Sequence, residues 1–232
     1  MKRFFNYALR ITICALFFIG TACAEEESSS PADAPKEINH ADSIYYTHLD
    51  FYNMTSTADR IILPHYKTYQ QTTEYSCGPA AALTVLNYFG RNDLDEATLI
   101  KLMDSKPEVG TSLSNMVKFF KSIGWDVQSS LDTPPLEEVE FQKFVKENLS
   151  QGKPIIVENV EWGGHWRVII GCDSLGTPDD LYDDVLIFAD SYDTSDHKQD
   201  GYAIGSLDRF FWMWFDKHER PQAWLVATPR RL

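Results

Sequence analysis

The chain alternates between apolar blocks and polar gaps in a way that changes character halfway along. Cys77-Gly-Pro-Ala-Ala-Ala-Leu-Thr-Val-Leu-Asn-Tyr-Phe-Gly90 is an apolar run with Pro79 in its first turn and Gly90 behind it. That punctuation predicts a helix. Residues 94–104 and 112–123 predict two more, the second capped by Thr111 or Ser112 and stopped by Gly124. Residues 136–151 are amphipathic at helical spacing and end at Gly152. Beyond that point the pattern becomes β-branched and short. Pro154 to Val160 reads as a strand, Gly163-Gly164 as a tight turn, and His165 to Cys172 as the returning strand of a hairpin. Asp184 to Asp190 predicts a third strand, and residues 222–228 a strand that closes the sheet. Between these two lies an aromatic helix, Ser206 to Phe215, with a serine cap. Helices first and an antiparallel sheet second define an α+β domain over residues 44–232, without internal repeat or linker.

The first 43 residues follow a different logic. Lys2, Arg3 and Arg10 precede an apolar stretch, Ile11 to Ile19, that is too short to cross a bilayer. Ala22-Cys23-Ala24 then fits a cleavage site, so residues 1–24 read as a secretory signal peptide. Gly20-Thr21-Ala22-Cys23 supports a competing reading, a lipoprotein signal over residues 1–22 with a lipid anchor on Cys23. Either way the mature chain is exported, to the periplasm, the medium or the cell envelope. Residues 25–43 are polar and hold almost no core-forming side chains, which makes them a disordered tether.

Charge narrows the partners. The formal net charge is −13, and removing residues 1–24 takes away three positive charges and no negative ones, which brings it to −16. A protein that lives on phosphate contacts is basic, so nucleic acid is excluded as a partner. Contact with a membrane is expected only through Cys23. Four cysteines in 232 residues are too few for a disulfide scaffold. Cys14 goes with the signal, which leaves Cys77 and Cys172 in the folded part.

Cys77 stands at the predicted start of the apolar helix. There the unpaired N–H groups and the helix dipole favour a thiolate, the nucleophilic form of cysteine. Gly78 removes bulk beside the sulfur. A thiolate nucleophile needs a histidine, and six are present. His40 falls in the tether, His48 and His65 precede the helices, and His197 and His218 sit in polar loops. His165 alone follows a Gly-Gly turn and opens an apolar strand; its plainer reading is a half-buried residue packed beside Trp166. A third group should fix the imidazole tautomer. Asp190 ends the next strand and can reach a neighbouring histidine; the plainer reading is a strand-ending turn residue. Asp193 is a fallback, and Asp173 lies at the far end of the histidine strand. An oxyanion hole needs N–H donors, which the Cys77 backbone and the side-chain amide of Gln71, or of Gln70 beside it, can supply.

Taken together, Gln71-Thr-Thr-Glu-Tyr-Ser-Cys77-Gly-Pro-Ala, a later Gly-His165 opening a strand and Asp190 closing the next resemble the papain-like bacteriocin-processing peptidases, which cut double-glycine leader peptides. The resemblance covers about residues 60–228. It implies a papain-like α+β fold with the nucleophile helix packed on the sheet. It also implies Cys77 as nucleophile, His165 as general base and then acid, Asp190 as its orienting group, Gln71 in the oxyanion hole, and no metal or organic cofactor. The chain departs from that family in three ways. It carries an export signal, Ser76 stands where those peptidases often have Asp, and the acidic stretch Ser174-Leu-Gly-Thr-Pro-Asp-Asp-Leu-Tyr-Asp-Asp184 is lengthened. That stretch reads as a solvated loop or a rim to the cleft. It lacks the ligand spacing and turn glycine of a calcium loop.

The leading expectation is a thiol hydrolase acting on a peptide or protein substrate. An acyl or γ-glutamyl transferase on the same fold is the alternative enzyme. A non-catalytic surface domain that binds peptides or glycans on Trp162, Trp166, Trp212 and Trp214 is the alternative without chemistry. A Cys77–Cys172 disulfide would remove the nucleophile altogether.

Overall fold

Ala80, Ala81, Ala82, Leu83, Val85 and Leu86 are all buried, so α1 (Cys77–Tyr88) is apolar around most of its circumference and runs through the interior rather than over it. The computed structural model describes residues 49–160, 163–193, 199–214 and 222–230. These residues belong to one compact unit of the chain, residues 40–232. The expected signal peptide, the tether, Cys23 and Trp162 lie outside the described residues.

Each predicted helix is present, and its ends follow from its sequence. Gly90 takes φ 80°, a left-handed conformation that glycine adopts without strain, and the Arg91 N–H returns to the Leu86 carbonyl at 2.9 Å, ending α1. α2 (Glu96–Leu102) is capped by Asp95, whose side chain accepts from the Thr98 N–H. α3 (Leu113–Ser122) is capped by Ser112 rather than Thr111, through the Asn115 N–H. α4 (Glu138–Ser150) starts with a capping box between Glu137 and Glu140. α5 (Leu207–Met213) is capped by Ser206. Phe141 of α4 packs against Phe210, Phe211 and Trp214, which ties α4 to α5 through an aromatic cluster.

The sheet is larger than the sequence pattern predicts. Among the described residues it holds seven strands: β1 (Arg60–Ile62), β2 (Trp125–Ser129), β3 (Ile155–Asn159), β4 (His165–Asp173), β5 (Val185–Ala189), β6 (Tyr202–Ser206) and β7 (Ala223–Pro229). Their order is β2-β7-β3-β4-β5-β6, with β1 paired to the far part of β4, and every pairing is antiparallel. Two expectations are corrected here. Strand β7 does not close an edge but lies between β2 and β3, and β2 comes from the half expected to be helical. Strand β2 alternates buried and exposed positions over only five residues directly after Gly124, too short a signal to separate from the helix before it. The fold is a mixed arrangement of helices and antiparallel sheet, with α1 packed on β4.

Candidate active site

Antiparallel register brings the site together. Val168 of β4 faces Ala189 of β5, so Arg167 faces Asp190 and His165 lies on the diagonal from it. Diagonal neighbours on one face of a sheet stay within reach of long side chains. His165 Nε2 lies 2.6 Å from Asp190 Oδ1, with both side chains almost fully buried. The Tyr192 N–H donates to the same Oδ1 at 3.0 Å. The Asp190 N–H donates to the Gly201 carbonyl at 2.8 Å, fixing its backbone against the start of β6. Arg167, two residues after His165 and therefore on the same face of β4, places Nε 3.6 Å from Asp190 Oδ2.

Cys77 is the first residue of α1 and is 6% exposed. Its side chain is near enough to the His165 imidazole to help raise the ring's pKa. Since Nε2 is engaged by Asp190, Nδ1 is the ring nitrogen left for the sulfur. Burial works against a charged imidazolium here. The hydrogen bond to Asp190, then the nearby Cys77 side chain, outweigh it, and the His165 pKa is pushed up to about 9. Asp190 is the complement. Burial alone would raise its carboxyl, but His165 and then Arg167 and the Tyr192 N–H hold it below the usual carboxylate range.

Of the two candidate amides, Gln70 is exposed and Gln71 is half-buried. The Gln71 N–H donates to the Ser191 carbonyl at 3.0 Å, and its Oε1 accepts the Ser191 hydroxyl at 2.8 Å. Nε2 donates one hydrogen to the Thr73 carbonyl at 2.8 Å. One residue on, Thr72 is held through N–H and Oγ1 by the buried carboxylate of Glu96, which also accepts the Tyr69 hydroxyl. The segment before Cys77 is thus pinned to α2 on one side and to the residue after Asp190 on the other. Ser191, Glu96 and Arg167 are the positions that sequence reasoning missed. Arg167 had a signal, as the one charged side chain inside the run His-Trp-Arg-Val-Ile-Ile-Gly-Cys. Glu96 and Ser191 had none, because they act across 24 and 120 residues of sequence.

The sulfur opens on a cleft of about 190 Å³ whose walls include Glu74, Gly110, Thr111, Gly163, Gly164 and Trp166. A larger hollow of about 900 Å³, beside Phe89, Lys153 and Arg230, holds none of the site residues. It lies at the other end of α1, about 18 Å away for a helix of 12 residues. Gly78 is needed for a reason other than access to the sulfur. A Cβ there would sit 2.7 Å from Thr111 Cβ and 2.8 Å from its Oγ1. Thr111 is not free to yield, because its Oγ1 bonds Ser105 at 2.6 Å and its carbonyl accepts the Trp166 indole at 2.9 Å. Gly78→Ala is expected to cost about 1–3 kcal/mol of overpacking, read as a lowered urea midpoint.

The remaining candidates separate clearly. Cys77 and Cys172 are both free thiols, so no disulfide joins them. Cys172 sits inside β4, and burial raises its thiol to about 11, the behaviour of a core residue. Asp193 is buried with Oδ2 accepting the Gly201 N–H at 3.2 Å, so it serves the loop between β5 and β6. Asp173 pairs with Arg60 at 3.3 Å. His65 is exposed, with Nδ1 3.2 Å from the Tyr52 carbonyl. His40, His48, His197 and His218 lie outside the described residues. The acidic residues 175–183 are mostly solvated and follow the far end of β4, about 27 Å from His165 for a nine-residue strand. They do not rim the cleft. Trp166 and Trp214 are 1% exposed and their indole N–H groups are engaged, which corrects the idea of a four-tryptophan stacking surface; Trp212 alone of the described three is exposed. Among the described residues no group of His, Cys, Asp or Glu is arranged to hold a metal.

A thiol at a helix start, an imidazole from a strand and a carboxylate behind it, on helices packed against an antiparallel sheet, are the features of a cysteine peptidase-like hydrolase with a papain-like fold. The chain belongs to the Peptidase_C39 like family, whose model matches residues 64–214. Two solved structures share the fold. The peptidase domain of Streptococcus ComA, a bi-functional ABC transporter involved in quorum sensing, has a TM-score of 0.51 at 20% identity, over 72% of this chain and 100% of that one. A double glycine motif protease from an AMS/PCAT transporter, solved with the leader peptide, has a TM-score of 0.50 at 17% identity, over 75% of this chain and 96% of that one. No curated protein matches.

Proposed function

We propose that this chain is an exported thiol hydrolase that cleaves a peptide or related amide bond through Cys77, His165 and Asp190. The observation that carries the reading is the 2.6 Å contact of His165 Nε2 with Asp190 Oδ1, on an imidazole whose pKa the Cys77 side chain helps to raise. Export rests on the charged, apolar and small-residue order of residues 1–24. A peptide substrate agrees with the leader peptide bound by the transporter protease of the same fold.

The chemistry follows from the arrangement. The Cys77 sulfur attacks the amide carbon, forming a C–S bond and an oxyanion that the Cys77 N–H and the second Nε2 hydrogen of Gln71 stabilise. The His165 imidazolium donates its Nδ1 proton to the amine as the C–N bond breaks. Water, deprotonated by the same imidazole, then hydrolyses the thioester. Asp190 stays ionised and keeps the ring oriented. Product masses with and without an added acceptor amine distinguish hydrolysis, the expected result, from acyl transfer.

The cleft also sets a charge preference. Glu74, Glu108 and Glu158 line it, and among the described lining residues there is no Lys or Arg. Peptides with lysines flanking the scissile bond are expected to show higher kcat/KM than matched glutamate peptides at low ionic strength, with the gap closing in salt. Equal rates at low salt contradict this.

A further inference from the structure

Asp190 has two oxygens, and the orientation of His165 uses one of them. Oδ1 is held by His165 Nε2 at 2.6 Å and by the Tyr192 N–H at 3.0 Å. Oδ2 faces Arg167 Nε at 3.6 Å. The Arg167 side chain is only 11% exposed, and its guanidinium carbon lies 4.9 Å above the Phe188 ring. A cation at this depth is costly unless it answers a nearby anion. β-strand periodicity puts Arg167 on the His165 face of β4, and the register puts it opposite Asp190. Cross-strand pairing therefore clamps the carboxylate between two cationic partners on one strand.

We propose that Arg167 is a positioning residue for the peptidase site: it holds Asp190 Oδ2 and, by sharing the carboxylate charge, limits how strongly His165 retains its proton. The proposal rests on the Cys77–His165–Asp190 reading above. Several groups among the described residues surround this pair. Cys77 reaches the imidazole from α1. Tyr192 places its ring edge-on to His165, with centroids 6.4 Å apart. Asp193 turns Oδ2 to the Gly201 N–H. Arg167 is the cation that faces Asp190 from β4.

The sign of the effect follows. Removing the guanidinium leaves Asp190 with His165 as its remaining cationic partner among the described residues. The imidazolium then keeps its proton to higher pH and becomes a weaker acid toward the leaving amine.

The test is the pH profile of Cys77 alkylation by iodoacetate, whose carboxylate is attracted by the imidazolium, so that the rate falls as His165 deprotonates. In the full-length protein the falling limb of Arg167→Met is expected about one pH unit above that of the unsubstituted protein. Arg167→Lys, which keeps the charge, is expected to return the limb to its original place. Arg167→Gln carries the same expectation as Met if the Met variant does not fold. If neither neutral variant folds, the Lys variant decides, and a folded Lys variant with a displaced limb overturns the proposal. An unmoved or lowered limb in a folded neutral variant also overturns it, since a packing role changes the melting temperature and leaves the profile in place. An unsubstituted protein with no falling limb at all refutes instead the Cys77–His165–Asp190 reading on which the proposal stands.

Discussion

Cys77→Ala is expected to abolish peptide turnover, by a factor on the order of 10⁶, while the protein keeps its fold. The factor is what a nucleophile costs when it acts as one unit with its base. The unchanged fold follows from size. Alanine removes only a sulfur at the edge of a cleft, and the next residues of α1, Ala80 to Leu83, are already small or apolar and buried. The same substitution removes one of the side chains that raise the His165 pKa. The imidazole of the variant is therefore expected to titrate below about 9, which histidine NMR can follow. Turnover by Cys77→Ala near the original rate would exclude acyl-enzyme chemistry at this position.

Asp190→Ala is expected to damage both activity and stability. Without the carboxylate, His165 loses the partner that sets its tautomer, and turnover is expected to fall by about 10⁴. Arg167 loses an anion that faces its buried charge, and breaking a buried pair by removing one member costs about 3–5 kcal/mol. The pH dependence has a definite sign. The His165 pKa in the folded chain is about 9, above its ordinary 6.5. The stabilisation from its protonated form is therefore complete below about pH 6.5 and is lost as pH rises through about 9. The Asp190 pKa is lowered from 3.8, so its contribution is present above that ordinary value and is lost as pH falls through the lowered folded one. The gap in melting temperature between the two proteins is thus expected to be widest near pH 5–6 and to narrow toward pH 10. A gap that widens with alkaline pH contradicts the ion pair.

Much of this arrangement is legible in the sequence, and the part that is not has a common cause. The five helices of the described residues are readable because signals such as Pro79, Gly90, Ser112, Gly124 and Ser206 act within a few residues of the ends they set. Cys77, His165 and Asp190 are readable because each sits at a boundary between an apolar element and a turn. Strands β1 and β6 escaped because three and five residues carry too little periodicity to stand out. The insertion of β7 between β2 and β3 is a matter of long-range pairing that no local pattern encodes. Gln70 and Gln71 are equivalent as letters; Ser191, 120 residues away in sequence, makes them different. Arg167 escaped for another reason: one cation in an apolar strand looks like an interruption until the register puts Asp190 across from it.

The most direct measurement of the central claim is the intact mass of the protein after rapid acid quench during turnover of a peptide substrate, followed by mapping of the peptide that carries Cys77. A transient mass increase equal to the acyl part of the substrate is expected, located on Cys77 and absent from Cys77→Ala. Turnover that proceeds with no adduct on Cys77 at any time, and that survives in Cys77→Ala, would contradict the claim.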